Sequence, residues 1–175
     1  MRLKKSAQQS LHSSPNIKLY IDMNRPKILT ASIRDVSFGS NVTVVKPCNL
    51  YECEIGDDTF IGPFVEIQRG VLIGARSRIQ SHSLICEKVI IGKDCFIGHG
   101  ATFINDTFQS GKISFDPNDW LETMVGDSVI IGSNATILPV QIASGVVVGA
   151  GSVVTKNLLE PGIYAGNPAR FLRKK

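Results

Sequence analysis

Aliphatic or aromatic side chains recur at every sixth position along the middle of this chain. Ile55, Ile61, Ile67, Ile73, Ile79, Ile85, Ile91, Ile97 and Phe103 follow one another in unbroken steps of six. Two residues before each stand Cys53, Thr59, Val65, Val71, Ser77, Ser83, Val89, Cys95 and Ala101, all small or β-branched. Side chains at i and i−2 share one side of a strand, so both columns are expected to face inward. An inward pair, a glycine often following and then polar turn residues describe one short strand and one corner. Three such units close a triangle, and successive coils stack at roughly 4.8 Å with their backbone hydrogen bonds running between coils. The expected fold class is therefore all-β, a parallel β-helix of hexapeptide repeats. An amphipathic helix would need apolar steps of three and four, whereas six residues advance about 240° around a helix.

The pattern begins upstream with Phe38, Val44 and Leu50, takes a five-residue step to Ile55, and fails between Phe103 and Val125. It then returns at Ile131 and Ile137, slips by one at Ile142 and runs on through Val148 and Val154. The interruption, INDTFQSGKISFDPNDWLETM, holds the only tryptophan, Trp120, with Phe108 and Phe115. A segment of that length leaving a rigid coil with its own aromatics reads as a functional loop. Three parts follow. Residues 1–32 form an irregular start, in which KLYID and KIL could add a strand and Met1–Ser14 are expected to be disordered. Residues 33–160 form the coil, with an extruded loop at about 104–124. Residues 161–175, EPGIYAGNPARFLRKK without its first glutamate, turn at Pro161-Gly162 and are expected to end in a short helix capping the coil.

Composition narrows the function more than the fold. With 43% hydrophobic residues the 175-residue chain can bury one sizeable core. The net charge of +4 is uneven: Arg2, Lys4, Lys5, Arg170, Arg173, Lys174 and Lys175 supply seven of nineteen basic residues, leaving twelve against fifteen acidic ones. No basic face with interleaved aromatics is present, so nucleic acid is not an expected partner. The start MRLKKSAQQSLHSSPN has no apolar stretch behind it, and nowhere do eighteen apolar residues run together, so the reading is a cytoplasmic protein with no membrane partner. Cys48, Cys53, Cys86 and Cys95 lack C-x-x-C spacing and are expected to be reduced.

The repeats, the loop extruded after one coil, the VGAGSVVTK coil and the IYAGNPAR close resemble the hexapeptide-repeat acyltransferases over about Ser37 to Leu172. More narrowly, GPFVEIQ, IQSHSLICE and FIGHGATFINDTF resemble the nucleotide-sugar 3-N-acetyltransferases that act on dTDP-linked 3-amino-3,6-dideoxyhexoses for bacterial surface polysaccharide, including O-antigen. The resemblance implies a left-handed coil, acetyl-CoA as co-substrate, and a homotrimer with active sites in grooves between subunits, where the loop of one chain reaches the next. Flat prism faces that pack side by side, with coils too thin to enclose a pocket, point to the same arrangement.

Acetyl transfer to an amine needs a neutral nitrogen, stabilisation of the thioester oxyanion and a proton route. A sugar amine with a pKa of about 8 is partly neutral at pH 7, so positioning comes before a strong base. Glu87 and Asn105 are eighteen apart and fall at one corner on successive coils, with Asp106 at the mouth of the loop. The resemblance puts all three where the sugar and its amine are held. His99, between Gly98 and Gly100 with room for close approach, is the first candidate for a base or amine contact, and His82 is a second, weaker ligand contact. Gln68, Glu66 and Gln80 could hydrogen-bond the sugar, and Trp120 could stack on a base. For coenzyme A, Gly149, Ala150 and Gly151 leave room for a pantetheine arm, and Asn167, Pro168, Arg170, Arg173 and Lys174 could meet adenine and phosphates. Each has a plainer explanation: a turn residue, a coil corner, loop packing or a solvated tail. Cys53 and Cys95, in the inward column, read as core filler.

Related sugar acetyltransferases place a catalytic histidine in or beside the loop. This loop has none, which argues against simple transfer of their histidine-base mechanism and against O-acetylation. No metal site is expected, because a carbonic-anhydrase-type centre needs three histidines and only His82 and His99 lie on the coil. A UDP-linked amino sugar as acceptor and a non-catalytic scaffold remain as alternatives.

Overall fold

A computed structural model describes residues 28–175. KLYID, Met1–Ser14 and His12 lie outside the described residues. Residues 31–175 form one compact unit. Its first coil comprises β1 (Ile33–Arg34), β2 (Ser37–Phe38) and β3 (Thr43–Val44), and its second β4 (Asn49–Tyr51), β5 (Glu54–Ile55) and β6 (Phe60–Ile61). Next come β7 (Glu66–Ile67), β8 (Leu72–Ile73) and β9 (Arg78–Ile79), then β10 (Leu84–Ile85), β11 (Val89–Ile91) and β12 (Phe96–Ile97). The fifth coil has β13 (Thr102–Phe103), β14 (Thr123–Val125) and β15 (Ile130–Ile131), and the sixth β16 (Thr136–Ile137), β17 (Gln141–Ile142) and β18 (Val147–Val148). The last has β19 (Val153–Val154) and β20 (Ile163–Ala165), followed by β21 (Arg170–Arg173).

Strands of successive coils pair in parallel. They build three sheets: face 1 from β1 to β19, face 2 from β2 to β17, and face 3 from β3 to β20 with β21 added. The register is that of the repeat, with Ile67 beside Ile85 and Phe103 in face 1, Ile73 beside Ile91 in face 2, and Ile79 beside Ile97 in face 3. All eighteen residues of the two inward columns are at most 3% exposed. Full burial of an isoleucine stabilises by about 1.5–3 kcal/mol relative to exposure, which is why strands two residues long suffice.

Inward hydroxyls are tolerated because each finds an acceptor on the next coil. Ser77 Oγ donates to the Gly92 carbonyl at 3.0 Å, Ser83 Oγ to Gly98 at 3.0 Å and Thr59 Oγ1 to Gly74 at 3.3 Å. No buried side-chain nitrogen or oxygen among the described residues lacks a partner. All four cysteines are free, and Cys53 and Cys95 are core filler as their column predicts.

Two expectations need correction. The basic close is a strand: β21 pairs antiparallel with β20, and the Phe171 ring meets Tyr164 edge-on at 5.4 Å. Helix formation loses because Gly166, at φ +101°, turns the chain back along the free edge of β20. The interruption is also shorter than the spacing suggests, since β14 starts at Thr123 and both Thr123 and Val125 are buried. No described helix is long and apolar enough to cross a membrane.

Candidate functional site

Face 1 is bounded by two edges, and the candidate residues divide between them. The edge between faces 3 and 1, called here the histidine edge, carries the corners Gly62–Val65, Gln80–Ser83, Gly98–Ala101, Gly132–Ala135 and Gly149–Ser152. In each, the third residue adopts a left-handed backbone: Phe64, His82, Gly100, Asn134 and Gly151 have φ of 60°, 64°, 67°, 57° and 66°. His82 belongs to this column and stacks on Phe64, with ring centroids 4.8 Å apart. His99 belongs to the neighbouring column, where its Nδ1 lies 2.8 Å from Ser81 Oγ, leaving Nε2 directed elsewhere.

The room expected around His99 is occupied by the coil itself. A Cβ on Gly98 would lie 2.5 Å from the Ser133 nitrogen, and one on Gly100 would lie 2.4 Å from Asn134 Oδ1. These glycines admit the adjacent coil rather than a ligand. Gly149 is explained in the same way by Ala165 Cβ at 2.9 Å, whereas Gly151 faces open space and owes its identity to positive φ. The strand register carries His99, Ser133, Ala150 and Gly166 to the same position on successive coils, so His99 and Gly149–Gly151 share one edge. Asn167 and Pro168 follow Gly166 directly. Arg170, Arg173 and Lys174 are exposed on and after β21, without an ion pair among the described residues.

The opposite edge, between faces 1 and 2, carries the loop. Register puts Glu87 beside Asn105, as the eighteen-residue spacing predicts, and Asn105 Nδ2 donates to the Glu87 carbonyl at 3.3 Å. The neck is closed by Leu121 N–H donating to the Asn105 carbonyl at 2.8 Å and by Lys88 Nζ donating to the Trp120 carbonyl at 3.0 Å. Asp106 Oδ1 accepts from the Phe108 N–H at 2.7 Å, an Asx turn that starts the loop and leaves its second carboxylate oxygen uncommitted there. Trp120 Nε1 donates to the Ser114 carbonyl, so the indole packs within its own loop. Phe108, Ile113 and Phe115 are exposed, Phe115 at 89%. Nothing in the sequence marks Lys88 as the loop's tether, whereas Ser81 as the partner of His99 follows from the same eighteen-residue spacing that joins Glu87 to Asn105 and went unused.

Glu66 and Gln68 lie on face 1 next to the loop edge, bonded to each other: Gln68 Nε2 donates to Glu66 Oε1 at 2.8 Å. The carboxylates of Glu66 and Glu87 set the local field. Burial, then Glu66 and Glu87, push the Cys86 thiol up to about 11, which leaves it protonated and a poor nucleophile at neutral pH. Burial and the same two carboxylates also raise the Tyr51 hydroxyl. Arg69 is held charged by its hydrogen bond to Glu52 at 2.7 Å, with Glu87 adding to the effect.

Within one chain, then, His99 and His82 are not brought to Glu87, Asn105 and Asp106; face 1 separates them. An open depression of about 350 Å³ over Ile90, Met124, Gln141 and Leu159 contains none of the candidates. No three His, Cys, Asp or Glu among the described residues converge to hold a metal ion.

The comparisons with known proteins agree with the coil. The family model for bacterial transferase hexapeptides (six repeats) matches residues 52–87, and that for the hexapeptide repeat of succinyl-transferase matches 88–104 and 122–156, skipping the loop. The bifunctional protein GlmU of Pseudoalteromonas atlantica is 31% identical over 152 residues, which cover 71% of this chain and 33% of that protein. The chain thus spans about a third of the length of the curated relatives it matches. Among solved structures, the hexapeptide-repeat containing acetyltransferase VCA0836 of Vibrio cholerae aligns with a TM-score of 0.53 at 26% identity, over 79% of this chain and 73% of that one. VCA0836 has also been solved in complex with acetyl coenzyme A. The D94N mutant of AntD, an N-acyltransferase from Bacillus cereus solved with dTDP and coenzyme A, shares the fold at a TM-score of 0.50 and 23% identity, over 79% of this chain and 84% of that one. With the winding, the register and both repeat models in agreement from residue 52 to 156 on either side of the loop, the chain belongs to the hexapeptide-repeat transferase family.

Proposed function

We propose that the protein transfers an acetyl group from acetyl-CoA to the amine of a nucleotide-linked amino sugar, a dTDP-linked 3-amino-3,6-dideoxyhexose being the acceptor its motifs favour. The observation that carries this reading is the pairing of Glu87 with Asn105 at the neck of a tethered loop, beside the uncommitted carboxylate oxygen of Asp106. Acidic groups there draw in an ammonium, and a carboxylate that takes its proton leaves the neutral nitrogen the reaction requires. The nitrogen attacks the thioester carbonyl directly, the C–S bond breaks as C–N forms, and the sulfur leaves with a proton.

The donor belongs, in this proposal, to the histidine edge. Ala150, in line with His99, and Gly151 next to it are exposed there, and basic side chains of β21 and the residues after it lie beyond them. A homotrimer supplies what one chain lacks, by setting the histidine edge of one subunit against the loop edge of the next. The exposed loop aromatics suit such a contact. His99 then orients the amine or the thioester oxygen.

Thiol release from acetyl-CoA, measured against dTDP- and UDP-linked amino sugars and their neutral counterparts, tests the proposal. Release with 3-amino sugars only is the expected result. Equal silence across the panel would favour a scaffold, and release with the neutral sugars would indicate O-acetylation.

A further inference from the structure

A line of side-chain hydrogen bonds crosses face 1 from its first strand to the loop neck. Arg34 donates to Asn49 Oδ1 at 3.0 Å, and Asn49 Nδ2 donates to Glu66 Oε2 at 3.1 Å. Gln68 Nε2 donates to the other oxygen, Glu66 Oε1, at 2.8 Å, and Gln68 Oε1 accepts from the Glu87 N–H at 3.3 Å. Glu87 in turn accepts from Asn105 through its carbonyl. The orientation of both amides is forced. Asn49 lies between a guanidinium, which only donates, and a carboxylate, which only accepts; Gln68 lies between that carboxylate and a backbone N–H.

Every polar side-chain atom of Glu66 and Gln68 is therefore engaged within the protein, and both residues are half-buried. What remains is one Gln68 Nε2 hydrogen and the second lone pairs of the oxygens, on groups whose orientation the internal bonds already dictate. We infer that Glu66 and Gln68 are positioning residues: they hold the Glu87 main chain, and through it Asn105 and the loop neck, in the geometry that receives the acceptor. This rests on the proposed acceptor site for its functional meaning, though the bonding itself does not.

Exchanging the two residues is the decisive experiment. In Q68E two carboxylates face each other, and the acceptor KM is expected to rise about tenfold, with kcat and the melting temperature little changed. In the double variant E66Q/Q68E the glutamine can donate to the glutamate and accept from Asn49, while the glutamate accepts from the Glu87 N–H. KM is expected to return to within about threefold of the wild type. A residue that touched the acceptor would not survive exchange, so a double variant as poor as Q68E would overturn the inference, as would a Q68E enzyme with unchanged KM.

Amide hydrogen exchange at Glu87 gives a second readout that needs no catalysis. It should quicken in Q68M and return to the wild-type rate in the exchanged pair; unaltered exchange in Q68M would overturn the inference even in an active enzyme. A wild-type protein silent in thiol release but showing these exchange changes would refute the acceptor reading and leave the bonding network standing.

Discussion

The two edges of face 1 are built by the same repeat and held by different bonds. On the histidine edge, coil meets coil through main chain: Asn134 N–H donates to the His99 carbonyl and Gly100 N–H to Ser81, at 2.8 and 3.0 Å, with glycines letting the coils close up. On the loop edge main-chain bonds, Gly70 N–H to Glu52 at 2.8 Å and Thr123 N–H to Lys88 at 3.0 Å, are joined by three side-chain bonds at the loop neck: Asn105 on the Glu87 carbonyl, Lys88 on Trp120 and Gln68 on the Glu87 N–H. A main-chain edge tolerates little change and reads every intrusion as strain. An edge held by side chains can be retuned one residue at a time, which suits the side that must recognise a particular acceptor.

That contrast is most exposed at Asn105. Asn105→Ala removes the bond to Glu87 and a proposed acceptor contact, and should lower kcat/KM by about 10²-fold, equivalent to about 2.7 kcal/mol, while the buried columns keep the coil folded. Steady-state kinetics beside a thermal melt will check it, and unchanged acceptor affinity would remove Asn105 from the site. Gly100→Ala should do the reverse. Its φ of 67° and the Asn134 oxygen 2.4 Å from the new Cβ make a cost of about 2 kcal/mol in urea unfolding, with kcat/KM per folded molecule nearly kept. If Gly100→Ala instead cut activity without loss of stability, the histidine edge would be as tunable as the loop edge.

Lys88→Met lies between these extremes. It keeps an unbranched apolar stem of the same reach up to Cε and removes the ammonium that holds the Trp120 carbonyl, so the loop loses its tether while the coil keeps its core. An acceptor KM raised about tenfold, equivalent to about 1.4 kcal/mol, is expected, with the KM for acetyl-CoA unmoved. Equal rises in both constants would mean that the loop serves donor and acceptor alike.

The coil was legible because its signal is a period, and a period survives without any knowledge of partners. Steps of six through Ile55 and Phe103 carry the fold, and the eighteen-residue separation of Glu87 and Asn105 carries their adjacency, because three sixes make one turn. The separation of seventeen between His82 and His99 likewise placed both at one edge, though in neighbouring columns. What could not be read was whatever depends on how side chains choose among nearby partners. Glu66 and Gln68 look like free polar groups in sequence, yet they are bonded to each other, to Asn49 and to the Glu87 N–H; Gly98 and Gly100 look like space and are filled by the next coil. The closing strand β21 escaped because its hydrogen bonds go to a strand edge that exists only once the coil is wound.

The smallest expected effect lies at Ser81. Its hydroxyl can accept from a protonated His99 Nδ1 or donate to an unprotonated one, and the choice decides whether Nε2 accepts or donates. In the first tautomer His99 can take a proton from the amine; in the second it can only lend a hydrogen bond to an oxyanion. Ser81→Ala frees the ring to adopt either, so kcat should fall about threefold, under 1 kcal/mol, and Ser81→Thr should restore it. The pH profile of kcat separates the roles. A limb that disappears in His99→Ala and shifts in Ser81→Ala marks His99 as a proton acceptor. A profile that neither variant alters leaves it a hydrogen-bond donor, and assigns proton removal to the carboxylates of the loop edge.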